Sequence, residues 1–487
     1  MSEKLYFAGE RHPESGLRLS MANRHGLITG ATGTGKTVTL QTLVEGFSSN
    51  GVPVFVTDIK GDLSGLARPG SVSERIKQRL EQLKLSEYAN QAWPVVLWDL
   101  MGESGHPVRT TISELGPLLL ANLLELNDTQ TAVLYACFKI ADDEGLLLLD
   151  LKDLRSMLSW VGDNARDLKS LYGNISSASI AAIQRGLLVL EQQGADRFFG
   201  EPALQLKDFM QVDFSGNGVI SMLDATPLLP RPRLYASFLL WLLAELFEQL
   251  PERGDQDKPC LAIFFDEAHL LFKNAPQVLL EQVEQVVRLI RSKGVGIYFI
   301  TQSPADIPAN IAGQLGNRIQ HALRAFTPRD QQAVRAAAQT LRPNSSMNTE
   351  AVITTLGVGE ALVSVLDDLG QPTPVERLLI HPPKSRIGPL SGAERTEHLT
   401  RSPLRGKYDT QIDRISAHEI LAERGKKQFA LENSEPYKQK KPVKGETSQA
   451  EELLGTMARS AMRSIGSQLG RQLARGLLGS LLGGRRR

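Results

Sequence analysis

The sequence predicts an α/β fold: a mainly parallel sheet with helices on both faces, a large helical insertion and a partly disordered basic C-terminal tail. Three observations predict it. A glycine-rich loop, Gly30 to Lys36, joins a short apolar run to a segment of helical periodicity. Further apolar runs of strand length end in polar or acidic residues and alternate with helical patterns, as successive βαβ units do. From Thr111 to about Leu250 the apolar residues recur mostly at helical spacing.

Residues 1–23 form a lead-in too short for a domain. The first part of the core spans 24–110. It opens with His25–Thr29, an apolar run fit for a buried strand. Gly30, Ala31, Thr32, Gly33, Thr34, Gly35, Lys36 and Thr37 follow, reading G-x-x-x-x-G-K-[ST], the phosphate-binding loop. Glycines let the backbone curl so that several N–H groups point at phosphate oxygens. Lys36 is expected to reach the β/γ-phosphates and the Thr37 hydroxyl to hold Mg2+. The helix opening at Lys36 adds its positive N-terminal end. Val38, Leu40, Leu43, Val44 and Phe47 carry that helix. A second strand, Val52–Thr57, ends in Asp58-Ile59-Lys60-Gly61-Asp62, and a third, Val95–Leu100, carries Asp99.

The helical insertion is expected over 111–215, and the core returns over 216–382. There Val219–Leu223 reads as a strand and Leu234–Leu250 as a long apolar helix with Trp241 in the core. Leu261–Phe265 is a dense apolar strand ending in Asp266-Glu267. A helix follows, then a strand, Gly296–Thr301, ending in Gln302. Ala361–Leu366 and Pro374–Ile380 flank Gly370-Gln371 as a hairpin. Residues 383–449, rich in Pro, Lys, Ser and Glu, read as a partly disordered linker.

The segment 450–487 is a basic amphipathic tail. Leu453, Met457, Ala461, Ile465, Leu469, Leu473, Leu477 and Leu481 recur every four residues. A four-residue step overshoots the helical turn by about 40°, so the row winds around a straight helix. Gly466, Gly470, Gly476 and Gly479 each cost roughly 1 kcal/mol in a helix interior. Short helical pieces that order on binding a membrane surface, DNA or a protein are one reading, and a solubilising frayed tail is the other.

The 487 residues carry a net charge of +1. From Lys438 to Arg487, eleven Lys and Arg stand against three acids, a net +8 that leaves −7 for the remainder. A mildly acidic body does not coat nucleic acid with its outer surface, although a channel lining escapes this test. Two cysteines, Cys137 and Cys260, fall in segments that look buried and have no metal or disulfide spacing, which suits a reducing compartment. No signal-peptide core and no apolar run of the roughly 18–20 residues needed for a membrane span is present, so the expected location is cytoplasmic.

The chemistry gathers at strand ends. Asp266 is expected to support Mg2+, and Glu267 to polarise the attacking water as general base. Gln302, on another strand end, fits a polar sensor of the γ-phosphate or the water. Asp58 and Lys60 end a strand where open α/β sheets gather ligands, with cap or surface-pair roles as the alternative. An arginine is expected to stabilise transition-state charge from a neighbouring subunit. Arg288, Arg291, Arg318, Arg324 and Arg329 are candidates, of which Arg318 and Arg291 are preferred for their nearness to strands bordering the site. His269 and His321 have no metal spacing and read as packing or solvent-facing residues.

Together, Gly30–Thr37, Phe264-Phe265-Asp266-Glu267-Ala268-His269-Leu270-Leu271-Phe272, Arg288-Leu289-Ile290-Arg291-Ser292-Lys293-Gly294 and Thr301-Gln302 resemble the HerA–FtsK superfamily of P-loop ATPases. Within it the chain is similar to the bacterial HerA-like, YjgR-type branch, to which Asp58–Asp62 and Gln314–Ala325 also conform. The resemblance covers most of residues 20–390. It implies a RecA-like core, a homo-oligomeric ring (commonly a hexamer), ATP hydrolysis at subunit interfaces and movement of a polymer, usually duplex DNA. It would place Lys36, Thr37, Asp266, Glu267 and Gln302 in the roles above, with an arginine supplied in trans. HerA proper carries a β-barrel ahead of its core, whereas here 29 residues precede the loop, a departure from HerA proper, so the partners and DNA-end processing of HerA itself are not carried over. ATP is favoured over GTP by family likeness, there being no N-K-x-D element. Two readings follow: a DNA-translocating ring motor, or the same ATPase acting on a protein or membrane-associated assembly through the basic tail. A scaffold without turnover has little use for Glu267.

Overall fold

The computed structural model describes residues 3–9, 16–85, 87–254, 256–273 and 277–434. The basic tail lies outside them. The strands, in chain order, are β1 (Lys4–Leu5), β2 (Leu17–Arg18), β3 (Gly26–Thr29), β4 (Val54–Asp58), β5 (Val95–Asp99), β6 (His106–Pro107), β7 (Ile220–Asp224), β8 (Leu261–Phe265), β9 (Val295–Thr301), β10 (Asn317–Gln320), β11 (Glu360–Ser364) and β12 (Glu376–Leu379). β1 and β2 pair with each other. The other ten form one sheet in the order β12-β11-β10-β3-β9-β8-β4-β7-β5-β6. From β10 to β6 all pairings are parallel, and β11 and β12 add antiparallel at one edge.

Strands covered on both faces read as continuous apolar runs, because neither side meets water. β8 and β9 are buried along their whole length. Helix α1 (Lys36–Ser49) drops Phe47 onto this sheet, where its ring meets Phe264 at 5.8 Å and Tyr298 at 5.5 Å between centroids. The Phe264 and Tyr298 rings stack at 4.8 Å. Trp241, on a helix over Pro232–Gln249, is 1% exposed, as the apolar pattern there predicts. Of the two cysteines, Cys137 is buried but Cys260 is only half-buried, since it lies just before β8. No helix among the described residues is long and apolar enough to cross a membrane.

The chain falls into two compact units. One comprises Met1–Val108 with Leu204–Thr410 and holds the sheet. The other comprises Arg109–Ala203 with the chain from Gln411. Five helices build the Arg109–Ala203 part of this second unit: Ile112–Leu123, Asp128–Asp143, Leu151–Asp163, Ala165–Tyr172 and Ser177–Gln192. Gly116 and Pro117 kink the first of them.

The expected linker over 383–449 is not a linker in its described part. Helices occupy Gly392–Thr400 and Ala417–Ser434. Weak apolar periodicity hid them, because polar contacts anchor both. Ser391 and Glu394 form a capping box on the first. The start of the second is tied down by buried Asp153, which accepts from Ser416 Oγ at 2.5 Å and His418 N–H at 2.9 Å. Ahead of them, residues 381–386 cross α1. Glu45 accepts from the N–H groups of Lys384 at 2.8 Å and Ser385 at 2.9 Å, and Thr42 donates to His381 O at 3.0 Å.

Candidate active site

β3 ends at Thr29, and the chain turns through Gly30–Gly35 before α1 begins at Lys36. Two of the glycines are required by close approach. Gly30 has φ +155°, and a Cβ there would stand 2.5 Å from His321 Cβ. Gly35 has φ +110°, and a Cβ there would stand 3.1 Å from Gly359 N. Gly35 occupies the N-cap position and offers no side chain to the first helical N–H groups. Those groups, with the end of the helix dipole, face the loop as an anion site requires. Thr32 and Gly33 are exposed at the crest, and Ala31, Gly35 and Thr37 are half-buried. The loop is tied to its surroundings by Ala31 N–H on Ala322 O at 2.8 Å and Gly359 N–H on Thr34 O at 3.0 Å.

The Lys36 ammonium is buried and donates to Gly30 O at 2.6 Å and Ala31 O at 3.0 Å. Burial lowers its pKa, and the charge of Lys60 adds to this, while Glu267 and Asp266 oppose it. The loop lysine and the acidic strand end therefore share one electrostatic site.

That strand end follows β8. Asp266 and Glu267 are 4% and 6% exposed. Asp266 N–H donates to Thr57 Oγ1 at 3.1 Å, which joins β8 to its neighbour β4, and Tyr235 OH donates to the same oxygen at 3.2 Å. Glu267 has φ +45°, a left-handed conformation that costs an L residue on the order of 1 kcal/mol. The conformation turns the carboxylate into a group of three partners. Lys60 Nζ lies 2.6 Å from Oε1, His269 Nδ1 lies 3.2 Å from Oε2, and Gln302 Nε2 reaches Oε2 at 3.5 Å. Burial pushes the Glu267 pKa up, but the hydrogen bond and charge of Lys60, with His269 and Gln302, outweigh it and hold the group below its usual range. Burial pushes Asp266 up to about 6, with Lys60 pulling against it.

Parallel strand order is what brings these groups together. β9 lies between β3 and β8, so Gln302 stands between the loop and Glu267. β4 lies on the far side of β8, so the turn after Asp58 delivers Lys60 to the same carboxylate. Asp58 itself is turned into this connection. Its oxygens accept from the N–H groups of Gly61 at 2.7 Å, Asp62 at 3.2 Å and Leu63 at 3.0 Å. Burial pushes it up to about 7 against those donors. The capping alternative is the one these bonds match.

Arg318 and Arg291 are not brought to the loop of their own chain. Arg318 is paired in register with Leu27, near the amino end of β10, and its guanidinium donates to Ala312 O at 2.8 Å. Arg291 opens the turn that precedes β9, and its carbonyl accepts from Asn23 Nδ2 at 3.4 Å. Both strands run parallel to β3, so their starts lie at the edge opposite the loop. The seven residues of β9 alone extend about 23 Å. Each lies near a strand that borders the site, but at the end of that strand away from the loop.

Three further neighbours surround the site, two of them histidines that read from the sequence as packing or solvent-facing residues. His269 contacts Glu267, as described. His321 packs beneath Gly30, with Nε2 at 2.9 Å from Thr39 Oγ1 and Nδ1 at 2.9 Å from Glu360 O, and burial pushes it down to about 4. Arg79, on α2 (Glu74–Gln82), donates to Gly359 O and Val358 O, both at 3.0 Å, and so braces the segment bonded to Thr34. No sequence signal marks Arg79, whose partners lie 280 and 279 positions away.

The donor set fits Mg2+ carried in with phosphates rather than caged by protein. Among the described residues no group of three or more His, Cys, Asp or Glu could hold a metal ion. One hydroxyl, Thr37, and one carboxyl, Asp266, are what a phosphate-borne octahedral ion asks of the chain.

The chain resembles solved structures of a bacterial conjugative coupling protein and of VirB4. It is 14% identical to the conjugative coupling protein TrwBdeltaN70 in its unbound form, covering 80% of this chain and 92% of that one, with a TM-score of 0.51. A TrwB structure in complex with ADP and Mg2+ matches at 14% identity over 81% and 92%, with a TM-score of 0.49. VirB4 of Thermoanaerobacter pseudethanolicus matches at 14% identity over 82% and 99%, with a TM-score of 0.48. A search of curated proteins gave no match. The fold is that of the RecA-like P-loop ATPases. The family model described as "Helicase HerA-like C-terminal" matches residues 3–487. A glycine loop on β3, an acid pair on β8 and a glutamine between them, in a chain matched along nearly its full length, make this protein a member of the HerA-like helicase C-terminal family.

Proposed function

We propose that this protein is an Mg2+-dependent ATPase that works as a ring-shaped motor on duplex DNA. The observation that carries the chemistry is the Glu267 carboxylate, buried, ionised and adjoined by Gln302, in the same electrostatic site as Lys36. A nucleotide switch needs the loop alone, whereas hydrolysis needs a base beside it.

The loop N–H groups and Lys36 hold the phosphates. Thr37 and Asp266 would hold Mg2+, which when bound neutralises phosphate charge. Glu267 accepts the proton of the attacking water as the oxygen bonds to the γ-phosphorus and the bond to the β-phosphate oxygen breaks. Gln302 orients that water or the γ-phosphate. An arginine from a neighbouring subunit, with Arg318 and Arg291 as candidates, completes the charge balance. Their place at the edge away from their own loop is compatible with service in trans and not with service in cis. Family membership supports DNA as the load and a hexameric ring as the assembly.

ATPase rate with and without duplex DNA, at low and moderate salt, tests this reading. DNA is expected to stimulate turnover. Glu267→Gln and Lys36→Ala are expected to lower it by at least a hundredfold, with ATP binding kept in Glu267→Gln. An absence of any DNA effect across low salt would remove the DNA motor, and unchanged turnover in Glu267→Gln would remove the base.

A further inference from the structure

Lys60 is placed with a care that a surface lysine does not need. The turn that carries it is built by Asp58, whose two oxygens gather three consecutive N–H groups just beyond Lys60. Gly61 takes φ +74° to close that turn. The result sets the Lys60 ammonium 2.6 Å from Glu267 Oε1. The glutamate side chain is 8% exposed and the lysine side chain 40%, so a buried carboxylate is joined to a partly exposed ammonium. Burial works to lower the Lys60 pKa, but Asp266, Glu267 and Asp62 outweigh it and keep the charge on. Lys60 and Lys36 also feel each other. Two ammonium groups thus serve the site, Lys36 bonded to the loop carbonyls of Gly30 and Ala31 and Lys60 bonded to the acid Glu267.

Such a pair suits an occupant carrying more negative charge than one lysine neutralises. A diphosphate held by the loop presents its charge chiefly to Lys36 and the helix end. A third phosphate would bring further negative charge into the site that Lys36 shares with the acid pair, where Glu267 and Asp266 would repel it. An ammonium has three donors, and Lys60 commits one to Glu267. We propose that Lys60 bridges Glu267 and the terminal phosphate, so that it positions the base and lets the site prefer a triphosphate over a diphosphate. This rests on the reading of Glu267 as the base given above.

The bridging geometry explains why a cation should sit against a general base at all. A lysine that only paired with Glu267 would hold the carboxylate away from its task. One that also grips the γ-phosphate ties the carboxylate to the phosphorus that the water attacks, which is the orientation the reaction needs. Lys60 is then a positioning residue acting through Glu267 and a specificity residue acting on the nucleotide.

Equilibrium binding of ADP and of the non-hydrolysable β,γ-imido analogue of ATP, at fixed excess Mg2+, tests this in the full-length protein. Wild type is compared with Lys60→Met and Lys60→Arg. Lys60→Met is expected to weaken the analogue about tenfold and ADP less than about twofold, a loss the size of one charge-assisted bond. Lys60→Arg, which keeps the charge and can span two acceptors, is expected to restore most of the preference. ADP affinity doubles as the check that the variant is folded. Steady-state kinetics of Lys60→Met should show kcat falling as well as KM rising. A ratio of analogue to ADP affinity unchanged in Lys60→Met overturns the specificity role, and an unchanged kcat overturns the positioning role. If the wild-type chain bound neither nucleotide, the ATPase reading itself would fall. If it binds both and only the ratio stays fixed, the Lys60 inference alone falls.

Discussion

His25 offers a quantitative test of how the sheet is held together. It stands at φ +58° between the turn Leu19–Arg24 and β3, 2% exposed. Ile297 N–H donates to its Nδ1 at 3.0 Å, so the ring proton is on Nε2, which donates to Val287 O at 2.7 Å. The neutral ring thus links β9 to the helix over Gln277–Ile290. Protonation would give Nδ1 a second donor facing a donor. Burial, with the nearby Arg291 charge in the same direction, pushes its pKa from 6.5 down to about 4. The sign follows directly. The unfolded chain binds the proton more readily, so His25 costs nothing above pH 6.5 and destabilises the fold as pH falls from 6.5 toward 4. Integrating over a shift of this size gives a loss of about 1.8 kcal/mol between pH 7 and pH 5. Urea unfolding followed by tryptophan emission measures it, comparing wild type with His25→Asn. Asparagine tolerates the left-handed backbone and does not titrate. The variant should be less stable at pH 7 and the gap should narrow by about 1.8 kcal/mol at pH 5. A gap that stays constant within about 0.5 kcal/mol across that range would refute the neutral, buried assignment.

Two further perturbations test the surroundings of the loop. Gly30→Ala puts a Cβ within 2.5 Å of His321 Cβ at a φ of +155°, and should cost about 1–3 kcal/mol in thermal unfolding and weaken nucleotide binding. Glu45→Ala removes the acceptor for Lys384 and Ser385, so the strap over α1 should loosen. The expected cost is about 2 kcal/mol with faster tryptic cleavage after Lys384, read by denaturation and by mass spectrometry of the fragments.

The legible parts of this chain were those where neighbours in sequence are neighbours in space. The strand–loop–helix around Gly30–Thr37 could be read directly, because its chemistry is carried by eight consecutive residues. So could β8 with its acid pair, and β9 with Gln302, since an unbroken apolar run marks a buried parallel strand and its first polar residues mark the edge. The helices over Gly392–Thr400 and Ala417–Ser434 were hidden for the opposite reason. The second is anchored by polar bonds to distant Asp153 and the first by Arg395 on distant Asp224 beside its capping box, and no apolar stripe announces them.

What the sequence by itself determined is the inventory: a phosphate loop, acids at strand ends, and the alternation that makes a parallel sheet. Tertiary structure decided which members of that inventory meet. The order β3-β9-β8-β4 joins Lys36, Gln302, Glu267 and Lys60 into one site, although they are spread over 267 positions. Strand direction sends Arg291 and Arg318 to the opposite edge. The physical reason is that periodicity reports which face of a strand is buried, and says nothing about which strand lies beside it. That choice is made by packing helices and strands together across the whole sheet, and the meeting of Lys60 with Glu267 is its consequence.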